Sequence, residues 1–156
     1  MKLPKIKNVK GFTLIELLVV IGILAILLSI VLIAINPARQ FGQANNTRRR
    51  SEVTQILNAV GAYSADHKGL LPTGIPTGAV GAALPIASGG ANADICAAIM
   101  PTYIPALPQD PQQGTGTAIT DCTSYTTGYT IVQDASHRVT VIAPLAENSE
   151  VISNTR

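Results

Sequence analysis

From Phe12 to Ile35 the chain is apolar at 20 of 24 positions and carries one charge, Glu16. Twenty-four residues rising about 1.5 Å each give a helix of roughly 36 Å, longer than a hydrocarbon core of about 30 Å. A secretory signal has a shorter apolar stretch with small residues at its cleavage site. Ala34-Ile35-Asn36 matches such a site poorly, so the segment is expected to stay with the protein.

Asn36-Pro37 marks a break, because the residue before proline is pushed out of the α region while proline suits a first helical turn. A second helix is expected from there to about His67. Val53, Ile56, Leu57 and Val60 fall at i, i+3, i+4 and i+7, a single apolar stripe that Tyr63 extends. Arg48, Arg49, Glu52, Gln55 and Asp66 fall mostly off the stripe, and Gly69 is a fitting stop.

Residues 69–128 hold 9 Gly and 7 Pro, a density that argues for turns and connecting loops over long regular elements. A short helix is expected from Asn92, as N-cap, to Met100, closed by Pro101. Pro105 to Pro111 reads as a rigid turn. Strands come last: Gly128 to Gln133 and Arg138 to Ala143 flank the hairpin loop Asp134-Ala135-Ser136-His137, and a third strand is expected over Glu150 to Ser153. Tyr129 and Ile131 share one face of their strand, Val139 and Val141 one face of the next. The class is α+β, a long N-terminal helix followed by a small C-terminal antiparallel sheet.

Charge changes the picture at one end only. The chain has 11 basic and 9 acidic residues, with Lys2, Lys5, Lys7 and Lys10 ahead of the apolar run and no acid among them. Beyond residue 11 the balance is 7 basic against 9 acidic. The basic end reads as an address or inner-leaflet anchor, not as a polyanion-binding body. Arg39, Arg48, Arg49 and Arg50 follow the run, so the positive-inside rule is close to a tie. The Lys cluster abutting the membrane and the downstream cysteine pair lean towards a cytoplasmic N-terminus. Glu16 is the anomaly, since a carboxylate at mid-bilayer costs about 2.5–3.5 kcal/mol and less near an interface. It is either an interfacial residue or the partner of a cation, and a free amine at Phe12, one turn away, would supply that cation if the chain were cut after Gly11.

Lys10-Gly11-Phe12-Thr13-Leu14-Ile15-Glu16-Leu17-Leu18-Val19-Val20 resembles the class III signal of type IV pilins and type II secretion pseudopilins: a short basic leader ending in Gly, then Phe, Thr-Leu-Ile-Glu and a long apolar helix. Leu107-Pro108-Gln109-Asp110-Pro111 echoes a Leu-Pro-x-Asp-Pro run of many pilin-like proteins. The resemblance implies a leader over 1–11, a transmembrane and later filament-core helix over 12–36, its amphipathic continuation over 37–68 and a globular head over 69–156. It further implies cleavage between Gly11 and Phe12 by a membrane-embedded prepilin peptidase, and N-methylation of Phe12. Glu16 would then neutralise the Phe12 amine of an adjacent subunit as an inner-membrane assembly platform builds a homo-oligomeric filament. The precursor would sit in the cytoplasmic membrane, the filament in the periplasm or outside the cell. The family's frequent mid-anchor proline would fall at Ile33, whereas the first proline beyond the leader is Pro37.

Cys96 and Cys122 are the only cysteines, and a disulfide between them is expected if the head faces an oxidising compartment, free thiols if it does not. The loop would contribute about 3–4 kcal/mol in the chain-entropy model. No enzyme motif is present: neither a nucleophile elbow, a phosphate loop nor a zinc-binding His pair. His67 and His137 read as a helix cap and a hairpin residue, and Gly114-Thr115-Gly116 as a turn. No cofactor is called for. Calcium is the one ion considered, through Asp110, Asp121 and Asp134, because some pseudopilins bind it in the head, but the spacing matches no loop motif. Thr47-Arg48-Arg49-Arg50 would serve a DNA-receptor or minor competence pilin. It lacks an aromatic stacking platform, and a solvated helix face or a groove contact between subunits is the preferred reading. A third alternative is a single-pass anchored binding domain that forms no filament.

Overall fold

A computed structural model describes residues 11–156. The basic leader cluster Lys2, Lys5, Lys7 and Lys10 lies outside the described residues. The chain divides into two compact units, one running to Gln40 and the other Phe41–Arg156.

In the first unit, helix α1 spans Leu14–Ile35. Thr13 caps it, and with Glu16 three residues on it forms a reciprocal capping box. None of its residues is buried, so its aliphatic side chains need lipid or other protein to cover them. The hydroxyl of Ser29, inside this apolar rod, donates back to the Ala25 carbonyl at 2.9 Å, which leaves no polar group unsatisfied there. Asn36 ends α1 in the left-handed region at φ 47°, a conformation that asparagine tolerates. Helix α2 starts at once on Pro37 and runs to Asp66, with proline at the first helical position where its missing N–H costs nothing. A left-handed pair, Lys68 at φ 57° and Gly69 at φ 89°, follows its end.

The second unit packs the remainder of α2 with a four-stranded antiparallel sheet in the order β1-β2-β3-β4: β1 Leu84–Ala87, β2 Thr126–Gln133, β3 Val139–Ala143 and β4 Ile152–Thr155. A short helix, α3, covers Cys96–Ile99. Val53, Ile56, Leu57 and Val60 are all buried, as the stripe predicts, and join Ile86, Ile95, Ile99, Leu107, Tyr129, Ile131, Val139, Val141 and Ile152 in one core. Each such aliphatic side chain contributes roughly 1.5–3 kcal/mol by leaving water. Strand β4 runs alongside α2 and is tied to it by polar pairs one helical turn apart: Arg50 with Glu150, Thr54 with Asn154 and Asn58 with Arg156.

Three local expectations change. Strand β1 arises inside the Gly/Pro-dense stretch. Pro85 is tolerated because β1 is an edge strand, and the register shifts between Pro85 and Ala87. The short helix is only Cys96–Ile99. Asn92 does not cap it but donates to the Ser88 carbonyl at 3.2 Å, while the Ala93 N–H donates to Pro85 at 2.9 Å. That bond holds the approach to α3 against β1. The last strand begins two residues later than expected, because Asn148 and Ser149 adopt positive φ and Glu150 still closes a turn onto Glu147.

Candidate functional site

The residues singled out by the N-terminal pattern lie around the start of α1. Gly11 and Phe12 precede the helix and are exposed, Phe12 at 85%, so the bond between them is accessible. No atom lies within 4 Å of where a Gly11 side chain would begin. The Glu16 carboxylate accepts from the Thr13 backbone N–H at 2.8 Å and from the Thr13 hydroxyl at 2.7 Å. The Thr13 hydroxyl in turn accepts from the Glu16 N–H at 3.3 Å. With Gly11 and Phe12 joined, the one acid of the apolar rod is therefore satisfied by its own helix end. Position matters as much as partners, because a negative charge in a first turn is favoured by the helix dipole. Thr13 has no part in the expectation for Glu16, although the Thr-x-x-Glu spacing is that of a capping box.

Of the basic cluster in α2, Arg48 and Arg50 keep about half of their side chains exposed, at 46% and 55%, as expected of a solvated face, whereas Arg49 departs from that expectation. The Arg49 side chain is fully buried. It grips Asp110 bidentately, Nε to Oδ2 at 2.7 Å and Nη2 to Oδ1 at 3.0 Å. Its remaining N–H groups reach Glu147 at 2.8 Å, Asn46 at 2.9 Å and Gln112 at 3.0 Å. Five oxygens from α2, the loop before β2 and the β3–β4 loop thus surround one guanidinium. Hydrogen bonding to Asp110, against the cost of burial, holds the Arg49 pKa above its ordinary value. Arg49, then Asn45, hold the Glu147 carboxyl below the usual range. Arg48 pairs with Glu52 at 2.6 Å and donates to the Gly116 carbonyl at 2.6 Å. Glu52 accepts from the buried Tyr129 hydroxyl, whose pKa is raised chiefly by burial and next by Glu52. Arg50 pairs with Glu150. Glu52 and Arg49 lie off the apolar stripe and are nonetheless buried. Beyond the local contacts to Arg48 and Asn46, their partners Asp110, Glu147 and Tyr129 are 61 to 98 residues away along the chain, and helical periodicity carries no signal for these.

Cys96 and Cys122 are joined in a disulfide with their Cα atoms 5.5 Å apart, tying α3 to the segment before β2. The three aspartates considered for calcium are held separately. Asp110 is on Arg49, Asp121 accepts from Thr123, and Asp134 accepts from the Ser136 and Arg138 N–H groups in the β2–β3 hairpin. Among the described residues no three His, Cys, Asp or Glu side chains group as a metal would require. His67 stacks on Tyr63 with ring centroids 3.9 Å apart at the end of α2. His137 sits in the hairpin at φ 62°, its Nδ1 2.6 Å from the Gln133 amide nitrogen.

Among known proteins, residues 6–32 match the family model described as the prokaryotic N-terminal methylation motif. Neither a curated protein nor a solved structure matches the chain. The matched stretch brackets the accessible Gly11–Phe12 bond, the Glu16 capping box and most of α1, and α1 is the one described helix long and apolar enough to cross a membrane. Motif and helix together fit a membrane-anchored precursor and point to a structural subunit. The chain thus carries the N-terminal methylation motif of prokaryotic pilin-like precursors, consistent with the class III signal of type IV pilins and pseudopilins, ahead of a pilin-like α+β fold.

Proposed function

We propose that this protein is a structural subunit of a type IV pilus or a type II secretion pseudopilus. It is cut between Gly11 and Phe12 by a prepilin peptidase, methylated on the Phe12 amine, and assembled from the membrane into a helical filament. The observation that carries the reading is α1 itself: apolar on every face, wholly unburied within its own chain, with one carboxylate in its first turn behind the matched motif. Such a rod needs lipid or copies of itself to cover its apolar surface. Cleavage would create a cation at Phe12, one turn from Glu16, and pairing it with the acid of a neighbouring copy would remove two charges from isolation and fix the axial register. The DNA-receptor alternative rested on Arg48, Arg49 and Arg50, and each of these is engaged within the head.

Two substitutions separate charge from capping. Glu16→Gln keeps a side chain able to close the capping box but carries no charge, whereas Glu16→Ala loses both. Both precursors are expected to be processed normally, and both to give filament yields at least tenfold below wild type. Wild-type yield from Glu16→Gln would reject the neutralising role.

A further inference from the structure

The two edges of the sheet are guarded unequally. On the β1 side, Pro85 has no N–H to turn outward, and its carbonyl is taken by the Ala93 N–H at 2.9 Å. On the β4 side, the order of bonds to β3 decides which main-chain groups are left over. Val139 and Arg156 exchange both bonds, N–H to carbonyl, at 2.8 and 2.9 Å. Antiparallel ladders alternate, so Val141 with Asn154 and Ala143 with Ile152 are bonded in the same way. Ser153 and Thr155, opposite Ile142 and Thr140, therefore turn their N–H and C=O groups away from β3. Strand β4 ends the order of the sheet, so no strand of this chain meets them. Both residues are exposed. The strand carries no proline, lysine or bulge, the usual protections of an edge.

A groove of about 260 Å³ lies beside this edge. Arg50, Val53 and Thr54 of α2 line it with Ile152, Ser153 and Asn154 of β4, and no residue of β3 does. It therefore opens on the outer flank of β4. Val53 and Ile152, 1% and 4% exposed, give it an apolar floor. Arg50 is already paired with Glu150, and Asn154 already donates to Thr54, so charged side chains select nothing here. What the edge presents is main chain: the N–H and C=O of Ser153 and of Thr155, alternating partial charges in one line. Only another extended backbone carries the complementary row, and an edge beside a helix-walled groove is the setting of strand addition.

We infer that β4 takes an extended peptide segment of a partner protein as a fifth strand. The added strand runs antiparallel, the more stable pairing, and seats a valine- or isoleucine-sized side chain over Val53 and Ile152. The β4 of a second copy fits less well. A twofold axis through the sheet relates two strands paired in this way, and it would bring both α2 helices to one face, beside a groove that holds side chains only. The edge lies wholly within the Phe41–Arg156 unit, so the inference stands independently of the filament reading.

The test is solvent exchange of backbone amides, followed by NMR on the full-length chain in detergent micelles. The probe is acetyl-Thr-Val-Thr-Val-Thr-amide at millimolar concentration, and the control is acetyl-Thr-Pro-Thr-Pro-Thr-amide, which has lost the alternate N–H groups. The valine peptide is expected to slow exchange at Ser153 and Thr155 at least fivefold, and the proline peptide to leave both unchanged. Unslowed exchange with the valine peptide, or equal slowing by both, would overturn the inference. So would protection that grows with protein concentration in the absence of peptide, which would assign the edge to a second copy. Ser153→Pro supplies a second readout, because the N–H it removes bonds nothing in the β3–β4 ladder. With the Val139 and Arg156 amides still protected, the variant is expected to show no slowing at Thr155, and slowing equal to wild type would contradict the assigned edge.

Discussion

Arg49 is surrounded by protein oxygens, and the Asp110 carboxylate that faces it is just as completely buried. Truncating one partner of such a pair strands the other without solvent, which costs about 3–5 kcal/mol. Arg49→Ala is therefore expected to destabilise the head by that order, read as a lowered midpoint in denaturant melts followed by circular dichroism. A change below about 1 kcal/mol would show that the guanidinium does not hold these loops. The same cluster sets an acid limit. The Glu147 carboxyl is held below its ordinary value by Arg49 and Asn45, so the unfolded chain binds the proton more readily than the folded one. Its contribution is fully present above the usual glutamate pKa of about 4.3 and is lost as pH falls through the lower folded value. Asp121, through Thr123, and Asp134, through the Arg138 backbone, are held low as well and act in the same direction. Glu147→Gln is expected to flatten the loss of stability below about pH 4.5 in part, and an unchanged acid slope would contradict that assignment.

At the scale of elements, the disulfide and the loops it closes hold together a head that has few aromatic side chains. Replacing Cys96 and Cys122 by Ala opens a loop whose closure is worth about 3–4 kcal/mol. The double variant is expected to unfold at a lower denaturant midpoint by that margin, with α1 unaffected. How far the elements were legible follows from the range over which their causes act. The apolar rod and the Val53–Val60 stripe are local patterns, and both were readable. Strand β1 was not, because Pro85 and its glycine-rich neighbours look like loop until the edge position of the strand is known. Gly128, expected to start β2, lies inside it at φ 82°, where a Cβ would come within 2.8 Å of Asp110. That requirement is set by a loop eighteen residues earlier. The Arg49 cluster is invisible for the same reason, its partners being distributed over two distant loops, whereas the capping box of Thr13 and Glu16 is a local Thr-x-x-Glu signal that the reading of Glu16 left unused.

For the molecule as a whole, two environments have to be satisfied by one chain. The α1 rod exposes apolar surface throughout and suits lipid or like neighbours. The Phe41–Arg156 unit has its own core and a satisfied polar network: among the described residues, no buried side-chain nitrogen or oxygen lacks a partner. Under the proposed function the subunit would leave the bilayer without refolding its head, its acid meeting a cation as lipid is exchanged for protein. Cleavage after Gly11 would supply that cation as the Phe12 amine. The most direct measurement is the mass of the N-terminal peptide of the protein recovered from cells containing a prepilin peptidase. The account predicts a chain beginning at Phe12 and heavier by one methyl group; a mature protein that still carries the leader, or begins at any other residue, would contradict it.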